Sequence, residues 1–163
     1  MNPSFEDGSG SDATEWIESE TKDSGRTDSF SSFSAHDGSY AIAMKDLTGS
    51  YSSRVLKSSK FNVNDGNDYN FGAYYYLPSS ESPTTTTNYR QKIELRWFDG
   101  NGNIVGSDAQ DTGDISIYDS WTKVTVSGKA PTDSSKARIL ISTKEKNNEN
   151  GNIYWDSVFI NNR

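Results

Sequence analysis

A chain of 163 residues is long enough for one domain with a real core, and its lack of cysteine excludes disulfides and cysteine-held metals. Sixteen Lys and Arg against 23 Asp and Glu leave a formal charge of −7. That balance argues against a nucleic-acid partner, and it disfavours anionic membranes and acidic polysaccharides unless a local basic patch reverses it. Only 31% of residues are hydrophobic, yet 9 Tyr, 7 Phe and 4 Trp are the aromatics that disordered chains lack.

No stretch approaches the ~18 apolar residues of a membrane span. Met1 is followed directly by the polar NPSFEDGSGSD, with no signal peptide. Residues 1–163 therefore read as a single module taken from a longer, secreted, multidomain protein.

Helical periodicity is nearly absent, and alternation bounded by Gly, Asn, Asp and Ser recurs. Residues 15–17 are a short extended piece, and 21–36 read as a long loop or an irregular edge. Tyr40, Ile42 and Met44 alternate with Ala41, Ala43 and Lys45 in a strand after the Asp37-Gly38 turn. Over 54–63, Val55, Phe61 and Val63 share one parity. Over 69–77, Tyr69, Phe71, Ala73 and Tyr75 share one face, and Asn70, Gly72, Tyr74 and Tyr76 the other.

Residues 78–88, with two prolines and TTTT, form a loop. In the strand over 89–98, Ile93, Leu95 and Trp97 alternate with Lys92, Glu94 and Arg96. The turn Asp99-Gly100-Asn101-Gly102 begins a return strand at 103–105, followed by a loop through 114. Ala137, Ile139 and Ile141 are in phase, and after a turn at 147–151 comes the last strand, 152–160. Trp97 and Trp155 fall in phase with apolar neighbours and read as core, while Asp156 shares parity with Val158 and Ile160. Roughly nine or ten short strands predict an all-β fold, a two-sheet antiparallel β-sandwich.

One strand stands out. In DSWTKVTVSGKAP, Thr122, Val124 and Val126 face a core, which puts Trp121 beside Lys123 and Thr125 on the outer face. A flat outward aromatic is what a protein uses to stack a sugar ring. Tyr74 and Tyr76, and Lys92, Glu94 and Arg96, offer further rings and planar polar groups on non-core parities. Trp16, out of phase with Ile17, offers a second platform.

Six pieces carry a resemblance: NPSFEDG, DGSYAIAMK, YNFGAYYYL, IELRWFDGNG, SWTKVTVSGKAP and YWDSVFI. In this order and spacing the chain resembles the jelly-roll, galactose-binding-domain-like carbohydrate-binding modules of families 4, 16 and 22, family 16 most of all. The resemblance implies a concave sheet that binds a polysaccharide. It also implies a structural calcium held by the backbone oxygens of Ser4 and Tyr40 and the side chains of Glu6, Asp37 and Asp156. Calcium takes six to eight hard oxygens, so the donor types agree. Family 16 carries two tryptophans at places resembling Trp16 and Trp121, but its glutamines are replaced here by Tyr and charged residues.

The expected ligand is a neutral β-1,4-glycan such as cellulose, glucomannan or xylan. Lys92, Arg96 and Lys123 in the groove would reverse that preference locally. An enzyme is not expected: His36, the one histidine, lies in a Ser-rich stretch, and no G-x-S-x-G elbow occurs. The expectation is a non-catalytic, monomeric module that holds a tethered polysaccharide-degrading enzyme on its substrate. The other readings are a structural or adhesion domain and a small glycan lyase or hydrolase.

Overall fold

The computed structural model describes residues 2–9, 12–19, 24–28, 34–45, 53–81, 90–114, 117–144 and 152–162. Residues 82–88 of the expected loop over 78–88, and the turn at 147–151, lie outside them. The strands are β1 (Gly8–Ser9), β2 (Asp12–Ala13), β3 (Trp16–Ser19), β4 (Ser24–Asp28), β5 (Tyr40–Lys45), β6 (Ser53–Ser58) and β7 (Phe61–Asn62). They continue with β8 (Asp68–Tyr76), β9 (Arg90–Phe98), β10 (Ile104–Asp114), β11 (Thr122–Lys129), β12 (Lys136–Lys144) and β13 (Asn152–Asn162).

Two antiparallel sheets form the sandwich. One runs β10-β9-β12-β6-β3 with β7 beside β12, and the other runs β11-β8-β13-β5-β4. Alternation builds the layer between them. Ile93, Leu95, Trp97, Ala137, Ile139 and Ile141 from the first sheet meet Ile42, Met44, Phe71, Ala73, Ile153 and Trp155 from the second. Trp97 and Trp155 are fully buried, as their phase predicts. Their indole N–H groups are matched inside, to Asp108 Oδ2 at 2.8 Å and Thr143 Oγ1 at 3.3 Å. Among the described residues no helix is long and apolar enough to cross a membrane.

Two elements differ from the pattern reading. The polar Ser24–Asp28 forms β4, an edge strand held by pairing with β5, in line with the edge alternative for 21–36, whereas residues 106–114 continue β10 rather than looping. Both are edge strands whose sequences lack apolar alternation because backbone pairing alone places them. The expected strand over 54–63 breaks after Ser58. Leu56, not Val55, enters the core, and Ser58 Oγ is buried accepting the Ile139 N–H at 3.0 Å.

Gly72 lets the second sheet close. A Cβ there would lie 2.3 Å from the Val124 carbonyl oxygen and 2.7 Å from the Phe159 ring. The backbone oxygen cannot step aside. Gly72→Ala is therefore expected to destabilise by about 2–3 kcal/mol, read as a lower midpoint in urea unfolding.

Candidate functional site

The outer face of the five-stranded sheet carries a strip of rings. β11 and β8 pair with Lys123 opposite Tyr74 and Thr122 opposite Tyr75, and β13 sets Tyr154 opposite Tyr76 and Asp156 opposite Tyr74. The parity that buries Phe71, Ala73 and Tyr75 therefore turns Tyr74 and Tyr76 outward beside Trp121. Trp121 is half-buried just before β11. Asp119 sets its entry with a positive φ of 55°, an N–H bonded to the Leu77 carbonyl at 2.9 Å, and a carboxylate accepting the Ser79 N–H at 2.8 Å.

The rings touch in sequence. Trp121 lies 5.5 Å from Tyr76, and Tyr76 lies 6.4 Å from Tyr154, in a small cluster with Ala41 and Ala43 that is separate from the main core. Burial, then the charge of Asp119, raises the Tyr76 phenol above its ordinary value, so it stays a neutral donor. Lys123 is exposed and reaches over the Phe159 ring at 4.7 Å and the Tyr74 ring at 5.8 Å.

A loop crosses this face. The Trp121 indole N–H donates to the Ser34 carbonyl at 2.8 Å, and the His36 ring stacks on Tyr74 with centroids 3.7 Å apart. His36 also meets Trp121 edge-on at 5.8 Å and pairs with Ser157 Oγ at 2.8 Å. Alternation cannot reveal a ring delivered by a loop, which is why His36 reads as a plain surface residue in the sequence. Tyr154 was legible in principle, since it is out of phase with the core residue Trp155.

The same loop is held by two carboxylates. Glu6 Oε1 accepts the N–H groups of Ser39 at 2.9 Å and Tyr40 at 2.8 Å, and Asp156 Oδ2 accepts that of Asp37 at 2.9 Å. Gly38, at φ 71°, is required, because a Cβ would meet the Glu6 carboxyl at 2.4 Å. Phe5, buried against Trp16 and held at φ 58°, anchors the turn between Ser4 and Glu6.

Asp156 is fully buried. Burial pushes its carboxyl up to about 7 against the pull of the Asp37, Ser157 and His36 backbone bonds, and the charge of Asp37 adds to the rise. A bulge between Asp156 and Phe159, with Ser157 at φ 49°, corrects the expected parity. Val158 is core, but Asp156 lies on the outer face with Tyr154.

Two further expectations are corrected. Trp16 is 9% exposed, packs 5.1 Å from Phe5 and donates to the Asn2 carbonyl at 2.7 Å, whereas Ile17 is 53% exposed. The short segment inverts its phase because β3 pairs at the edge of the six-stranded sheet. Trp16 is core, and Trp16→Ala is expected to cost on the order of 3 kcal/mol in equilibrium unfolding.

Lys92, Glu94 and Arg96 are on β9, in the opposite sheet from Trp121. They share no groove with it.

No protein-family model matches the chain, and no curated protein matches it in sequence. Solved structures match it over nearly its whole length. TmCBM61 in complex with β-1,4-galactotriose superposes with a TM-score of 0.63 at 19% identity, covering 99% of this chain and 96% of that one. The C-terminal family 22 carbohydrate-binding module of Clostridium thermocellum Xyn10B gives 0.58 at 15%, with 98% and 90% covered. The fold is that of the β-sandwich carbohydrate-binding modules.

This carbohydrate-binding-module fold also occurs elsewhere. A cyclase from Fischerella sp. TAU in complex with 4-(1H-indol-3-yl)butan-2-one gives 0.67 at 14%, covering 99% of this chain and 94% of that one. The chain spans 20% of the enzymatically active domain of bacteriophage CBA120 tailspike protein 4, at a TM-score of 0.62 and 13% identity.

Proposed function

We propose that the chain is a non-catalytic module that binds a polysaccharide along the aromatic strip of the five-stranded sheet. The carrying observation is that Trp121 and Tyr74 come part-way to the surface of this face beside the exposed Lys123 and His36, over the buried rings of Tyr76 and Tyr154. Trp121 and the stacked His36–Tyr74 pair can meet the C–H faces of sugars, with Tyr76 and Tyr154 backing them from below, while the Lys123 ammonium and the His36 imidazole reach hydroxyl groups. Among the described residues one cation, Lys123, stands on the strip, which suits a neutral β-1,4-glycan such as cellulose, glucomannan or xylan. The Asp156 oxygens accept the backbone N–H groups of Asp37 and Ser157, which ties this carboxylate to holding the loop. In a longer secreted protein such a module, itself monomeric, raises the local concentration of an attached polysaccharide-degrading domain.

A structural calcium belongs to the same proposal. Among the described residues no three His, Cys, Asp or Glu side chains gather to hold a metal. The donor chemistry nonetheless fits: Asp156 feels the like charge of Asp37, and Glu6 grips the other side of the same loop. Glu6, Asp156, Asp37 and the carbonyls of Ser4 and Tyr40 would hold the ion. It would supply the positive charge that a buried carboxylate needs and fix the loop that carries His36.

Native affinity electrophoresis tests the binding reading. Retardation in gels holding a neutral β-glycan, without release of reducing ends, is the expected result. No retardation across a broad neutral panel would leave a structural or adhesion domain, and product release would make the chain an enzyme.

A further inference from the structure

The outer face of the six-stranded sheet holds a different chemistry. Gln91, Ile93, Leu95 and Trp97 are buried, so Lys92, Glu94 and Arg96 project outward from β9. Arg138 of β12 lies directly opposite Arg96, and Leu140 lies opposite Glu94 on one side and Lys57 of β6 on the other. Four cations, Lys57, Lys92, Arg96 and Arg138, thus lie around Glu94, with Asp111 of β10 opposite Lys92 at the margin. Glu94 is 8% exposed and is shared between Lys92 at 2.8 Å and Arg96 at 2.7 Å. Burial opposes its charge, but the bonds and charges of Lys92 and Arg96 outweigh that and hold its carboxyl below the ordinary value.

The pairing of Arg96 with Arg138 does not favour folding. Like charges directly opposite each other destabilise a sheet, and Arg138 faces Arg96 with its buried Nε lacking a hydrogen-bond partner. At the end of the row Lys136 lies opposite Phe98, whose ring sits 3.8 Å beneath the Lys60 ammonium. Cations gather here in a chain of formal charge −7. Such a local departure from sheet rules marks a functional surface.

We propose that this face is a second binding site, separate from the aromatic strip, for an acidic polysaccharide built of uronate sugars. Arg138, Lys57 and Lys92 take the sugar carboxylates, with Arg138 able to bind one bidentately. Glu94, 8% exposed between its two cations, accepts hydroxyl hydrogens at its exposed edge. Glu94 also decides the class of ligand. A phosphodiester chain brings it mostly like charge at close spacing, whereas each uronate brings hydroxyl donors beside its single carboxylate.

Affinity electrophoresis at low salt in polygalacturonate and alginate gels is the test, with a DNA gel beside them. Expected are retardation by a polyuronate that fades at high salt, about tenfold weakening in Arg138→Glu and in the milder Lys57→Gln/Arg138→Gln, and no change in Trp121→Ala. Absence of polyuronate retardation would overturn the proposal. So would equal retardation by DNA, or binding lost in Trp121→Ala but kept in Arg138→Glu, which would place the acidic chain on the aromatic strip. Neutral-glycan gels run with the same variants keep this outcome separate from that of the aromatic face.

Discussion

Trp121→Ala is expected to abolish retardation by the neutral glycan that the native chain binds, while leaving a cooperatively folded protein. The ring belongs to the small outer cluster with Tyr76, Tyr154, Ala41 and Ala43, not to the layer between the sheets. Its removal takes away a stacking platform, a loss on the order of 2–3 kcal/mol of binding, roughly 30- to 100-fold. The fold loses one indole bond to the Ser34 carbonyl, about 1 kcal/mol. Trp121→Phe keeps a stacking ring without that bond and should retain intermediate binding. Trp155→Ala is the contrast, since its fully buried ring should cost about 3–5 kcal/mol of stability. If Trp121→Ala unfolded as readily as Trp155→Ala, the indole would be a core residue and the strip would lose its centre.

The second large effect sits at Asp156 and separates pH from metal. Its folded carboxyl lies near 7 against an ordinary 3.8. A raised acid keeps its proton in the folded state after the unfolded chain has lost it. Its contribution to stability is therefore complete below about pH 4 and is lost as pH rises through 7. In chelator the native protein should lose on the order of 3 kcal/mol across that window relative to Asp156→Asn, roughly 6–12 °C in melting temperature. Calcium should reverse the trend at neutral pH, because an ion that binds only the folded state stabilises it. It should also tighten glycan binding by fixing the loop that carries His36. Asp156→Asn should flatten both responses. Melting temperatures that ignore chelator and calcium at every pH would remove the metal from the proposal and leave the aromatic strip untouched.

Much of the fold was legible because alternation is a local property. Val124 and Val126 set the phase of Trp121, and Phe71 and Ala73 set that of Tyr74 and Tyr76, so those three rings were assigned to the outer face from their own neighbours. Trp97 and Trp155 were assigned to the core in the same way. Where a segment was too short or too polar to carry a phase, the reading failed or stayed open. Trp16 has only Ile17 to compare with, and the polar edge strands β4 and β10 show no pattern because solvent lies on one side of them.

Period-two patterning and aromatic content by themselves determined an all-β sandwich and an outward Trp121. Tertiary structure alone decided which sheet each strand joined. The Lys92–Glu94–Arg96 row alternates as cleanly as the Tyr74–Tyr76 row, yet β9 pairs with β10 and β12, and β8 with β11 and β13. Strand partners are chosen by contacts far apart in the chain, and no residue's own neighbours encode them. The bulge at Ser157 is equally non-local in effect: one extra residue turns Asp156 from the expected core parity to the outer face, under a loop whose Asp37 lies 119 residues earlier. That loop then sets His36 on Tyr74. A sequence can say that a ring faces outward, but the long-range pairing of strands and loops decides what it faces.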